Sequence, residues 1–159
     1  LEVLSNIFSA GKSSRLYKSL VYEQKAALDI YADYSGYYKF PFLFFFGASA
    51  AQGKKIEGVE KAILEEIEKI KNNTVNDEEV QKAKNQIEAS FIFAKDSNSS
   101  MALNAGTFEL LGGWRLMDSY LGEIRKITAA DVQAAAKKYF TDDNKTVGIL
   151  IPVKQGEAK

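Results

Sequence analysis

The fold class follows from residues 27–48, which read ALDIYADYSGYYKFPFLFFFGA. Apolar and polar residues alternate over the first eight positions, and this period of two predicts a strand. One side of this strand carries its apolar residues, Leu28, Ile30, Ala32 and Tyr34. After the turn formers Ser35-Gly36, the apolar run from Phe40 to Ala48 predicts a second strand that is buried on both faces.

Helical periodicity dominates the rest of the chain. Apolar faces with helical spacing occur before the strands, over residues 1–8 and 14–21. Further helices are predicted after the strands, over residues 56–71, 76–94, 97–111, 114–126 and 128–139. Strands grouped apart from helices indicate an α+β fold, a mainly antiparallel sheet covered on one face by helices.

The end of the chain predicts a closing strand over residues 146–151, followed by a polar tail over residues 153–159. One domain over residues 1–152 is therefore expected. Two or three strands are few for so many helices, and the chain begins without Met inside an apolar helix. We therefore expect the domain's first strands to lie upstream of Leu1.

Composition excludes several classes of function. The 159 residues include 21 Lys plus Arg and 21 Asp plus Glu, so a nucleic-acid partner is not indicated. The chain has no His and no Cys, which removes the usual zinc ligands and the His base of common hydrolases. The longest apolar run, residues 40–46, is far shorter than the about 20 residues of a transmembrane helix.

Several local motifs have ordinary structural explanations. Gly11-Lys12-Ser13 resembles the end of a phosphate-binding loop, but Asn6 stands where that loop needs its first glycine. Asp29 and Asp33 have no partner environment that would make them a catalytic pair. Residues 112–115, Gly-Gly-Trp-Arg, are less common, and on spacing alone they indicate a helix stop followed by a buried anchor.

Four segments together resemble one family of enzymes. They are residues 4–20 (LSNIFSAGKSSRLYKSL), 74–85 (TVNDEEVQKAKN), 127–140 (ITAADVQAAAKKYF) and 146–152 (TVGILIP). Their order and content are similar to the pitrilysin/insulinase family of zinc metallopeptidases, which includes the mitochondrial processing peptidase. No segment is diagnostic alone, and together they span almost the whole chain.

The resemblance implies one half of a two-part peptidase. Members pair two α+β halves around a peptide, and the catalytic half carries a His-x-x-Glu-His zinc motif. A chain without His cannot match that motif, so it resembles the C-terminal, non-catalytic half and is inactive alone. The resemblance further implies a peptide substrate and a catalytic half in the same chain or a separate subunit. Zinc is then expected in that partner half, with no cofactor and no metal bound by this chain.

The resemblance also suggests site residues. Non-catalytic halves carry an Arg followed closely by a Tyr that reach substrate at the partner's zinc, and Arg115 and Tyr120 match that pair. Positions i and i+5 lie about 140° apart on a regular helix, so convergence requires Arg115 to precede the helix. Gly11, Ser13, Ser14 and Arg15 are weaker candidates, because a glycine-containing loop assists substrate entry in the mitochondrial enzyme.

Two other functions remain open at this stage. The chain is alternatively a structural member of the same fold, like the respiratory core subunits that resemble the family without proteolysis. An unrelated α+β binding module is the third possibility. The sequence leaves the substrate and the compartment undetermined.

Overall fold

Helices make up most of the computed structural model, which describes residues 1–73 and 75–151. In chain order the regular elements are α1 (Glu2–Ser9), a π-helix (Tyr17–Glu23), β1 (Ala27–Asp33), β2 (Phe45–Ala50), α2 (Ile56–Asn72), α3 (Asp77–Phe93), a 3₁₀ turn (Ala94–Asp96), α4 (Asn98–Leu111), α5 (Leu116–Lys126), α6 (Ala129–Tyr139) and a second 3₁₀ turn (Asp142–Asn144). The predicted α+β class is confirmed.

The described strands form one antiparallel pair, in which Ile30 lies opposite Ala48 and Ala32 opposite Phe46. A bulge interrupts the register between Ala27 and Asp29. Because a bulge breaks the alternation of sides, Leu28 is 67% exposed while Ile30 and Ala32 are buried. The prediction that Leu28 shares their side is therefore wrong.

The second strand begins later than predicted, at Phe45 rather than Phe40, and runs to Ala50. Among the described residues, Phe40 to Phe44 form no strand. Phe40 is 74% exposed and Leu43 is 62% exposed, so the predicted burial on both faces is also wrong. A strand needs a backbone partner, and β1 ends at Asp33, opposite Phe45.

The closing strand predicted over residues 146–151 is absent from the described structure, where this segment follows the second 3₁₀ turn without regular structure. Leu150 is 96% exposed. Alternating apolar residues make a strand only where another strand accepts their hydrogen bonds, and none is present here. The predicted polar tail, 153–159, lies outside the described residues.

The core lies between the sheet and the helices on one side of it. Helix α1 packs on β1, α3 and α6, the π-helix packs on β1, and α2 packs on β2 and α6. The fully buried side chains with the largest volumes are Phe8, Leu4, Leu16, Leu20, Ile70 and Val59. The ring of Phe8 meets those of Phe46 and Phe140 at 5.2 and 6.2 Å. Helix α1 is thus the central element of the fold.

Capping side chains mark the N-termini of two helices, as predicted. The Asn76 side chain accepts a hydrogen bond from the Glu78 backbone N–H and begins α3. Thr128 and Asp131 form a capping box at the start of α6. These caps set where α3 and α6 begin.

Candidate functional site

A tight turn joins α4 to α5 and carries the Arg candidate. Gly112 and Gly113 have φ angles of 149° and 126°. A residue with a Cβ atom adopts such angles only with backbone strain, which explains the two glycines. The Gly113 backbone N–H donates to the Phe108 carbonyl at 3.0 Å and ends α4. The Trp114 backbone N–H donates to a Glu109 carboxylate oxygen at 2.9 Å. This turn projects Trp114 and Arg115 at the surface.

Arg115 is the residue immediately before α5, which begins at Leu116, and its backbone torsions, φ −63° and ψ −16°, are already helical. Its guanidinium lies 4.8 Å from the centre of the Trp114 ring, and both side chains are exposed. Within the described part of the chain, no carboxylate forms an ion pair with Arg115. A stacked guanidinium keeps its donors, so Arg115 is available to bind carbonyl or carboxylate oxygens. The prediction of a buried Trp114 anchor is wrong, because this side chain is 49% exposed.

Tyr120 is half-buried on α5, with its ring packed against two others. Phe91 of α3 lies at 4.9 Å and Phe108 of α4 at 5.8 Å, measured between ring centres. The Tyr120 hydroxyl donates to a Glu2 carboxylate oxygen of α1 at 2.5 Å. Burial, followed by the hydrogen bond to Glu2, raises the pKa of Tyr120 far above its ordinary value, so the phenol keeps its proton.

The Arg and Tyr candidates therefore have different partners in this structure. Arg115 stacks on Trp114 at the surface, and Tyr120 bonds to Glu2 between helices. The Glu2 partner was not predicted from the sequence. It lies 118 positions from Tyr120, and neither spacing nor a motif connects the two.

The weaker candidates lie in the turn between α1 and the π-helix. Gly11 has a φ of 80°, which explains a glycine there without invoking substrate. Arg15 donates twice to the Glu79 carboxylate of α3, at 2.8 and 2.7 Å, and the Ser13 hydroxyl bonds to Lys82. Ser14 is buried, and its hydroxyl has no hydrogen-bond partner among the described residues. The structure therefore connects this turn mainly to α3.

Two negative findings apply to residues 1–73 and 75–151. They contain no group of three or more His, Cys, Asp or Glu side chains placed to hold a metal ion. None of their helices combines the length and the apolar character that a membrane crossing requires.

The fold defines an α+β domain whose described part contains no cluster of side chains placed to hold a metal ion. Residues 1–87 match the family model described as the peptidase M16 inactive domain, and the chain belongs to this family. The predicted resemblance to the non-catalytic domain of zinc metallopeptidases is confirmed.

Similar proteins extend the comparison. The chain is 26% identical to YmxG of Bacillus subtilis strain 168, described as an uncharacterised zinc protease, over 144 residues, 90% of this chain and 35% of that protein. It is 26% identical to the zinc protease PqqE of Helicobacter pylori, over 96% of this chain and 34% of that one. It thus spans about a third of the length of these relatives.

One solved structure shares the fold over nearly the whole chain. It is the inactive peptidase domain solved from Bordetella parapertussis, with a TM-score of 0.87 at 22% identity. The match covers 99% of this chain and 83% of that one.

Proposed function

We propose that this chain is the substrate-binding, non-catalytic half of a zinc endopeptidase. It encloses an extended peptide together with a catalytic half, which belongs to the same polypeptide or to a separate subunit. The exposed Arg115 guanidinium, with no carboxylate paired to it in the described structure, is the observation that carries this proposal. An exposed Arg without an ion-pair partner in the described structure is suited to binding the carbonyl oxygens of a peptide.

The zinc ion belongs to the partner half in this proposal. The present chain does not fit zinc, because it has no His or Cys and its described carboxylates form no three-member cluster. Bound zinc would polarise the scissile carbonyl in the partner half. The residues of this chain bind and orient the peptide, and the Tyr120 hydroxyl exchanges its hydrogen bond to Glu2 for one to the developing oxyanion.

A single substitution tests the role of Tyr120. With the catalytic half present, Tyr120→Phe is expected to lower kcat for a fluorogenic peptide about 100-fold and to leave KM within about twofold. Tyr139→Phe is the matched control, because Tyr139 is 44% exposed on α6 and is not among the hydrogen-bond and ring partners described for Tyr120. If Tyr120→Phe turns over peptide as fast as the control does, the proposed role is wrong.

A second candidate function is a structural, non-proteolytic subunit of an assembly. Exposed apolar side chains in two segments favour it, namely Tyr37, Tyr38, Phe40, Phe42, Leu43, Phe45, Val147, Ile149, Leu150 and Ile151. Large exposed apolar side chains in such numbers are typical of interaction surfaces. The intact mass and zinc content of the protein purified from its source separate the two functions. Stoichiometric zinc supports the peptidase, and a zinc-free chain in a large assembly supports the structural subunit.

A further inference from the structure

The connection between β1 and β2, residues 34–44, presents apolar side chains at the surface, and we call it the aromatic segment. Its side chains that keep between 43% and 74% of their surface exposed are Tyr37, Tyr38, Phe40, Phe42 and Leu43. The Tyr38 and Phe42 rings stack at 3.9 Å, and Phe42 meets Phe45 of β2 at 5.8 Å. Lys39 is the only charged residue of the aromatic segment. Exposed apolar surface of this kind marks a site of interaction.

The aromatic segment adjoins the position of Tyr120. The Phe108 ring of α4 lies 5.8 Å from the Tyr37 ring and also 5.8 Å from the Tyr120 ring, measured between ring centres. The centres of the two tyrosine rings are therefore at most about 12 Å apart, a span that an extended peptide covers in about four residues. A peptide whose scissile carbonyl lies at Tyr120 thus brings nearby side chains to the aromatic segment.

The composition of the aromatic segment restricts which side chains it can take. Aromatic rings pack well against other aromatic or large aliphatic groups, and this burial is favourable. A basic side chain would lose hydration there, and the only charge that the segment itself offers is the like charge of Lys39. The aromatic segment is therefore suited to an apolar side chain and unsuited to Lys or Arg.

We propose that the aromatic segment binds an aromatic or large aliphatic side chain of the substrate, within about four residues of the scissile bond. This inference rests on the proposed function, because it requires a peptide held at Tyr120. It names the substrate class as peptides with a large apolar residue close to the point of cleavage.

Paired fluorogenic peptides test this selectivity with the full-length protein and its catalytic half. Each peptide carries Phe at one position within about four residues of the cleaved bond, and its twin carries Ser there. Mass spectrometry of the products identifies the cleaved bond. The parent is expected to cleave at least one Phe peptide with a kcat/KM about tenfold above that of its Ser twin. Equal values for every pair would overturn the proposal.

Substitutions of Phe42 test whether the aromatic segment is the source of that preference. Phe42→Ser removes the ring that stacks on Tyr38 and is expected to bring the Phe-to-Ser ratio of kcat/KM to within about twofold of one. Phe42→Leu stays apolar and is expected to keep the ratio within about threefold of the parent. Tyr38→Ser replaces Phe42→Ser if circular dichroism shows that this variant does not fold. A parent ratio in the Ser variant would overturn the proposal.

Tyr22→Ser is the matched control. Tyr22 is 73% exposed on the π-helix, which packs against β1 and α2, so this variant is expected to keep the parent ratio. A ratio lost equally with Tyr22→Ser and Phe42→Ser would mean that removal of any surface ring suffices, and the assignment to the aromatic segment would be wrong.

Two other occupants of the aromatic segment are distinguished in the same preparations. Loss of the catalytic half from purified Phe42→Ser would assign the segment to the interface between the halves. A dimeric parent that becomes a single copy with Phe42→Ser would assign it to contacts between copies. Either result would overturn the proposal.

Failure of the proposed function is read separately, from Tyr120→Phe acting on the Ser twins. A parent rate there refutes the proposed role of Tyr120. A lowered kcat there, together with a parent ratio in Phe42→Ser, leaves the proposed function standing and refutes only the assignment of the aromatic segment.

Discussion

Separating Arg15 from Glu79 distinguishes a structural role of the Gly11–Arg15 turn from a role in binding substrate. The Arg15 guanidinium donates two parallel hydrogen bonds to the Glu79 carboxylate, at 2.8 and 2.7 Å, across 64 positions of sequence. If this contact is structural, Arg15→Ala lowers the free energy of unfolding and leaves the KM for a peptide unchanged. If Arg15 binds substrate, KM rises instead.

The size of the effect follows from geometry and exposure. Exposed ion pairs contribute about 0.2–1 kcal/mol, and breaking a buried pair costs about 3–5 kcal/mol. The two side chains here are 23% and 35% exposed, and the contact is bidentate. Solvent screening of the partly exposed Glu79 places the coupling near the upper end of the exposed range, at about 1 kcal/mol. In a domain of this length, that corresponds to about 2–4 °C in Tm.

A double-mutant cycle measures this coupling. The parent chain, Arg15→Ala, Glu79→Ala and the double variant are unfolded in urea and followed by circular dichroism. The Arg15 hydrogen bond holds the pKa of Glu79 below its ordinary value of 4.5. A carboxyl whose folded pKa is lowered stabilises the fold above the unfolded value, and that stability is lost as the pH falls through the folded pKa. The coupling is therefore expected at pH 7 and absent well below pH 4.5.

A coupling energy below about 0.3 kcal/mol at pH 7 lies within the scatter of independent sites, and would show that the contact contributes no stability. A severalfold rise in KM with Arg15→Ala at unchanged stability would assign Arg15 to the substrate-binding surface.

Two predictions concern the core and the helix that carry the site. Phe8→Ala removes a ring with no solvent exposure and is expected to cost about 3–5 kcal/mol in urea unfolding, whereas Phe93→Ala, at a side chain 71% exposed, should change stability by less than about 0.5 kcal/mol. Asn76→Ala removes the cap of α3 and is expected to cost about 1 kcal/mol, whereas Asn76→Gly should cost only a few tenths. Equal losses for either pair of variants would contradict the respective assignment.

The helices and their ends were predictable because their signals are local. A period of 3.6 residues in apolar side chains locates α2 and α3, and short polar side chains such as Asn76 and Thr128 mark where helices begin. The composition was equally informative about chemistry, since a chain without His or Cys cannot carry the usual zinc ligands. The family resemblance rested on such local segments and is confirmed by the match over residues 1–87.

The strands were less predictable because a strand depends on its partner. The aromatic run from Phe40 has strand composition, but pairing starts at Phe45, where β1 supplies the opposite residue. The bulge near Leu28 and the unpaired segment 146–151 have the same origin. Composition measures the propensity of a segment to form a strand, and only tertiary contacts decide whether its hydrogen bonds are satisfied.

The candidate site also has a part that the sequence suggested and a part that only the tertiary structure revealed. The sequence by itself suggested Arg115 and Tyr120 through their resemblance to a family pattern, and it predicted a helix over 114–126, whereas α5 begins at Leu116. Only the tertiary structure placed Glu2 against the Tyr120 hydroxyl, at 2.5 Å and 118 positions away. The physical reason is that a helical face repeats along the chain and is visible as a period, whereas a hydrogen bond between distant helices depends on how those helices pack.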